Sequence, residues 1–256
     1  DCDDLLSSPV NTLQQNNPIV ENADGTKSWS TDPTKYNPRN TTWVGDLKYK
    51  DVNGDGIIDE NDKTNLGSPL PKFTFGWNNT FTYKNFDLNI FINGNYGSKI
   101  GNYTKMKLSH MNSPWQNQLT VINDRTRLQP TDGVYSSDWY YDISNVSTTG
   151  RTDIPRASIN DPNDNDAWSS RYIENGSYIR LKALTLGYTF DKKLIEKIGL
   201  SNLRLTFNAT NLLTITGYDG YDPEIGASTT SANVFALDNG RYPSPTSFTF
   251  GLNVSF

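Results

Sequence analysis

The sequence predicts an all-β fold: the C-terminal strands, about five and antiparallel, of a large transmembrane β-barrel with long extracellular loops. Three observations carry that expectation. The last stretch, Thr246 to Phe256, puts Phe248, Phe250, Leu252, Val254 and Phe256 on one face and Ser247, Thr249, Gly251, Asn253 and Ser255 on the other, because side chains on a strand alternate with period two. A tilted strand needs about 9–11 residues to cross a bilayer, so this one is long enough. No apolar run reaches the length of a helical span, about 18 residues, whereas a barrel strand needs only every second residue to be apolar. Aromatics make up 12% of a chain with only 34% hydrophobic residues, and Asn, Asp, Gly, Ser and Thr crowd the stretches between apolar runs, which is a β composition with long polar loops.

The formal charge of -5 comes without a basic stripe, which argues against nucleic acid or an anionic lipid surface as partner. Cys2 is the only cysteine, so no internal disulfide forms. A lipid-anchored Cys would be the first mature residue, and Asp1 precedes it; Cys2 reads as an incidental thiol. No basic segment followed by an apolar core opens the chain, so no signal peptide is expected.

Residues 1–71 read as an extracellular loop region. Its first 44 residues are polar and rich in Asn, Asp, Thr and Pro without sustained period, and are expected to be loop. At 51–62 the sequence Asp-Val-Asn-Gly-Asp-Gly-Ile-Ile-Asp-Glu-Asn-Asp places Asp51, Asn53, Asp55, the Ile57 carbonyl, Asp59 and Asp62 at positions 1, 3, 5, 7, 9 and 12. That is the oxygen-ligand spacing of an EF-hand calcium loop, with Gly56 at the sharp turn. Position 12 is Asp rather than Glu, as in dockerin-type loops, so a bidentate contact requires closer approach of the backbone. Asp, Asn and Gly also form ion-free Asx-turn clusters, but the four carboxylates at ligand positions, Asp51, Asp55, Asp59 and Asp62, repel one another without a cation. A structural Ca2+ is the expectation.

Residues 72–256 hold the strands, at about 72–83, 86–97, 178–190, 202–216 and 246–256. In the first pair, Phe73, Phe75, Trp77, Phe81 and Tyr83 share a face, Lys84-Asn85 makes a tight turn, and Phe86, Leu88, Ile90 and Ile92 resume the pattern. Asn79 interrupts the apolar face, as a local bulge or a rim position would. In the third strand Ile179 and Leu181 are odd while Leu184, Leu186, Tyr188 and Phe190 are even; a bulge near Ala183 would bring both sets to one face. Residues 191–201 look like a helical turn or compact connector. In the fourth strand Leu203, Leu205, Phe207 and Ala209 alternate with Arg204, Thr206, Asn208 and Thr210.

Loop lengths give an independent check. With the C-terminus at the periplasmic end, 1–71, 98–177 and 217–245 fall outside, and 84–85 and 191–201 fall in the periplasm. Long loops outside and short turns inside are the barrel pattern, and Tyr83, Phe86, Tyr188, Phe190 and Phe256 then stand at periplasmic strand ends, as an aromatic girdle requires. Trp115, Trp139, Tyr140, Tyr141 and Trp168, in the 98–177 loop, offer a surface on which a sugar or peptide could stack, or else the small core of the loop itself. Arg180, Lys182 and Arg204 are placed to face the lumen.

The stretches Gly45 to Asn85, Ser169 to Phe190 and Leu203 to Leu213, with the terminal strand, resemble the C-terminal part of SusC/RagA-type TonB-dependent outer-membrane transporters. The run Ser-Arg-x-x-Glu-x-Gly-Ser-Tyr-x-Arg-Leu, Ser170 to Leu181, is the most specific motif, and the calcium-like loop followed by Gly-x-Pro-x-Pro is next. The resemblance implies a plugged barrel of about 22 strands, import of oligosaccharides or peptides powered by the TonB complex, and a SusD-like surface lipoprotein as lid. The plug, the TonB-contacting segment and the strands before Phe73 have no counterpart in this sequence. About five strands cannot close a barrel, for which about eight is the small natural size; the remaining barrel strands, of the same or another chain, and outer-membrane lipid are expected neighbours.

The alternative is a soluble secreted β-sandwich that binds glycan or protein and contains a calcium loop, since a sandwich also alternates. Enzymatic function is the weakest reading. His110 is the sole histidine, so a catalytic triad would hang on one loop residue and a multi-histidine metal site is impossible. The carboxylates of Asp161 to Asp166 read as a solvated turn rather than a glycosidase pair.

Overall fold

A computed structural model of the chain describes residues 10–11, 19–29, 41–137, 139–141, 145–225 and 236–256. Cys2, much of the N-terminal loop region and part of the 217–245 loop lie outside the described residues. The chain divides into two compact units, Asp1–Asn65 with Lys105–Trp168, and Leu66–Thr104 with Ser169–Phe256.

The second unit is built on one antiparallel sheet of five strands: β1 Phe73–Tyr83, β2 Phe86–Tyr96, β3 Tyr178–Thr189, β4 Asn202–Thr216 and β5 Ser247–Ser255. Their order across the sheet is β5-β4-β3-β2-β1, so each strand pairs with its neighbour among these five in sequence. That meander is how a barrel wall grows, since antiparallel neighbours need only turns or loops between them. β1 and β2 close at Tyr83 opposite Phe86; Lys84, at φ 52°, provides the left-handed residue of the turn.

β3 slips register between Leu181 and Ala183 against both neighbours. Leu181 lies opposite Ile92 and Leu213, and Leu184 opposite Ile90 and Ala209. The extra residue reconciles the odd and even apolar positions of this strand, which would otherwise point to opposite faces. The connector from β3 to β4 is one short helix, Lys192–Ile195, followed by a 3-10 turn, Glu196–Ile198. Gly199 stops it at φ 78°, and the Leu200 N–H returns 3.1 Å to the Ile195 carbonyl, a glycine-terminated helix end. Asn79 does not sit at a bulge or a rim: the β1–β2 ladder runs unbroken through it and sets it mid-strand opposite Ile90. Nothing in the structure explains why that apolar face carries an amide.

The registers collect the large apolar side chains on one face. Trp77 lies opposite Ile92, Phe81 opposite Leu88, Leu186 opposite Leu88 and Phe207, and Phe250 opposite Phe207. This face is uncovered: Trp77 is 50% and Phe250 81% exposed. A sandwich would press a second sheet onto it, whereas a wall in lipid leaves it open. Among the described residues no helix is long and apolar enough to cross a membrane. Rings gather at both strand ends. Phe86 meets Tyr188 at 4.6 Å between centroids and Tyr188 meets Phe190 at 4.9 Å, and at the other end Phe73 stacks on Tyr96 at 5.5 Å.

The long excursion after β2 is folded rather than irregular. In the second unit Ile173–Asn175, Lys99–Asn102 and Leu237–Asp238 form a small sheet. In the first unit Arg127–Pro130 pairs antiparallel with Val146–Thr149, and Trp43, Val44 and Val146 make a buried core flanked by Leu128 and Trp139.

The opposite faces of β5 give a direct test. Lysine near the bilayer midplane costs about 2–4 kcal/mol on the lipid side of a barrel. Phe250→Lys is therefore expected to lower stability by about that much, and Thr249→Lys, which points away from lipid, to change it little. Denaturant titration in lipid vesicles of the outer-membrane protein that carries this sequence reads both.

Candidate functional site

The polar face of the sheet carries charge in pairs. Arg180, only 3% exposed, is held by three partners: Nη2 reaches Asp222 Oδ1 at 2.5 Å, Nη1 reaches Glu224 Oε2 at 2.7 Å, and Nε donates to Thr214 Oγ1 at 2.9 Å. Lys182 Nζ donates to the same Glu224 oxygen at 2.6 Å. Asp222 also accepts the Glu224 and Ser244 N–H groups at 2.9 and 3.0 Å. Burial opposes ionisation of Asp222, but the Arg180 guanidinium and these two N–H groups outweigh it and hold its carboxyl at about 2. Beside the cluster opens a pocket of about 400 Å³, lined among others by Asn95, Tyr178, Lys182, Glu224, Arg241 and Ser244. Arg204, the third cation of the polar face, donates to Asp87 Oδ2 at 2.7 Å and to Thr189 Oγ1 at 3.2 Å.

Arg180 and Arg204 are thus committed to carboxylates of the protein. Arg180 ties the segment after β4 down onto β3, and the half-exposed Lys182 remains at the pocket wall. The sequence pattern showed the cations and their face. It did not show Asp222 and Glu224, which lie 42 and 44 residues away in a stretch without periodicity.

The 51–62 loop folds around its own backbone. Asp51 Oδ1 and Oδ2 accept the Gly54 and Gly56 N–H groups at 2.6 and 2.8 Å, Asn53 Oδ1 accepts from Asp55, and Asp55 Oδ1 accepts from Ile57. Asp62 closes the loop by accepting from Asp59 and Val52 at 2.7 and 2.8 Å, and these two bonds lower its pKa. Gly54 and Gly56, at φ 79° and 83°, turn the chain inward. Every oxygen donor of the spacing is present, so the residues fit a hard cation. Among the described residues, however, the carboxylates and histidine with ligand atoms within 4.8 Å of one another are His110, Asp161 and Asp166, not those of this loop.

The loop aromatics differ in their surroundings. Trp139 packs against the core of the first unit and meets Tyr135 and Tyr140 edge-on at 5.6 and 5.9 Å. Tyr140 and Tyr141 lie 4.3 Å apart. Trp115 is 92% and Trp168 47% exposed. The 161–166 turn is partly buried: its two asparagines are enclosed, Asp161 and Asp166 are half-buried, and Asp164 is exposed. Asn163 and Asn165 are 1% and 6% exposed; Asn163 Nδ2 donates to the Leu47 carbonyl at 2.9 Å, and Asn165 Oδ1 accepts the Leu47 N–H at 2.8 Å.

Comparison with known proteins now adds to the geometry. No family model matches the sequence. TonB-dependent receptor P3 of Formosa agariphila is 34% identical over 214 residues, which is 81% of this chain and 19% of that protein. TonB-dependent receptor SusC of Bacteroides thetaiotaomicron is 25% identical over 210 residues, 81% of this chain and 17% of that protein. This chain belongs with the TonB-dependent receptors of the SusC/RagA type. It spans about a fifth of the length of the curated relatives it matches. The RagAB peptide importer in its closed-closed state shares the fold, with a TM-score of 0.53 at 18% identity over 93% of this chain and 20% of that one. As in these SusC/RagA-type receptors, the five strands are part of an outer-membrane barrel wall, and the named relatives are receptors rather than enzymes.

The Arg180 cluster makes a pH prediction. The folded pKa of Asp222 lies below its ordinary value of 3.8, so its contribution to stability is full above that value and is lost as pH falls towards about 2. Asp222→Asn removes one partner of a buried arginine, leaving Glu224, and is expected to cost about 1–3 kcal/mol. Limited proteolysis of the segment after β4, followed against pH, should show the wild type protected until about pH 2–3 and the variant cut at neutral pH.

Proposed function

We propose that this chain forms part of the wall and outer loops of a TonB-dependent importer that takes up oligosaccharides or peptides through the outer membrane. The observation that supports this best is the sheet: one face uncovered and aromatic, the other polar, hydrogen-bonded and carrying a pocket beside Lys182 and Glu224. The curated relatives named as TonB-dependent receptors agree with it. Further strands must meet the edges of β1 and β5, because open ladder groups in hydrocarbon are not tolerated, and a SusD-like lipoprotein would cap the outer loops. Of the loop aromatics, Trp115, Trp168 and Tyr141 are exposed and could stack on cargo. The 51–62 loop holds a structural Ca2+ in this reading.

Deletion of the gene is expected to abolish growth on the imported nutrient, and complementation to restore it. Growth of the deletion strain on every oligosaccharide and peptide source used by the wild type would sink the proposal. Calcium has its own check. Chelation should speed proteolytic cutting within 51–62, Ca2+ should reverse this, and Asp51→Ala should cut at the chelated rate in either condition. Equal rates with and without Ca2+ in the wild type would mean that the loop stands on its backbone hydrogen bonds alone.

A further inference from the structure

The first unit contains a group of ligand-type side chains that the import reading does not use. His110 is 8% exposed, and among the described residues neither ring nitrogen has a hydrogen-bond partner. Asp166 Oδ2 approaches Nε2 to 2.7 Å, yet off the axis on which the ring could hydrogen-bond. One ring nitrogen and one oxygen each of Asp161 and Asp166 lie within 4.8 Å of one another.

Buried imidazole is not ordinarily left unsatisfied, because an unpaired buried polar group costs free energy. Charge points the same way. In the surrounding polar core Asp46 is matched by Arg156, whose Nε and Nη2 each stand 2.9 Å from its oxygens. Among the described residues Asp161 and Asp166 have no such cation. Asp161 accepts from Asn165 Nδ2 at 2.7 Å and from the Asp166 N–H at 3.4 Å.

We propose that His110, Asp161 and Asp166 bind one divalent transition-metal ion, with Zn2+ the natural occupant. Tetrahedral ligands with bonds of about 2.0–2.1 Å stand about 3.4 Å apart, so three ligand atoms within 4.8 Å of one another close on one ion after a small shift. Imidazole nitrogen favours Zn2+ over Ca2+, whereas the all-oxygen spacing at 51–62 favours Ca2+. The two sites are separable by metal. Three protein ligands leave a position for water, and the ion would pin the 161–166 turn to the segment around His110.

The outer-membrane protein that carries this sequence is purified in detergent, stripped with chelator and dialysed against Zn2+ with Ca2+ in excess. Wild type should retain one more tightly bound Zn2+ per chain than His110→Ala or the pair Asp161→Asn with Asp166→Asn, with at least a tenfold loss of affinity in each variant. Equal zinc in wild type and variants overturns the proposal, as does displacement of that zinc by Ca2+. Heat-modifiable migration on gels reports whether the barrel has folded. If the alanine variant has not, His110→Cys loaded with Co2+ decides. A thiolate-to-cobalt absorption band supports the site, since a merely structural histidine would not generate one, and its absence overturns it.

Discussion

Hydrocarbon cannot hydrogen-bond a peptide group, and most of this structure follows from that constraint. Each long strand must pair its backbone with a neighbour, so the wall is a meander in which β1 to β5 lie side by side. Once the ladders are fixed, the pleat sends alternate side chains to lipid and to the opposite face. A slip of one residue would turn every apolar side chain inward. The bulge between Leu181 and Ala183 preserves the apolar face across a strand whose sequence changes parity.

Outside the wall the constraint is reversed. Water is available, apolar residues are few, and the loops fold around buried polar side chains. The first unit has a small apolar core at Trp43, Val44 and Val146 and a larger investment in Asp, Asn and Arg. Asp46, Arg156, Asn163 and Asn165 are linked to one another and to the backbone at Leu47. Such a core is specified by direction rather than by volume, since each donor must meet its acceptor. The same device fastens the segment after β4 to the wall through Asp222 and Arg180.

Function rides on this division. The wall offers a polar face on which Arg180, Lys182 and Arg204 are all paired with carboxylates, and a pocket opens beside Lys182 and Glu224. The loops carry an oxygen-rich turn at 51–62, exposed aromatic rings at Trp115 and Trp168, and the His110 group.

Local periodicity was enough to read the strands, the β1–β2 turn, the bulge near Ala183, the 191–201 connector and the lipid face, because each depends on residues near one another in sequence and on the pleat. Asn79 shows the limit of that reading, since its place opposite Ile90 is known only from the ladder. The partners of Arg180, the burial of Asn163 and Asn165 and the meeting of His110 with Asp161 and Asp166 came from the tertiary structure alone. Those contacts join residues about 40 to 120 positions apart, through loops without period, and no spacing rule brings such pairs together. The alternation of the chain by itself determined that a wall would form and which way it would face; only folding decided which charges would meet across the loops, because a hydrogen bond is fixed by distance and direction in space and not by separation along the chain.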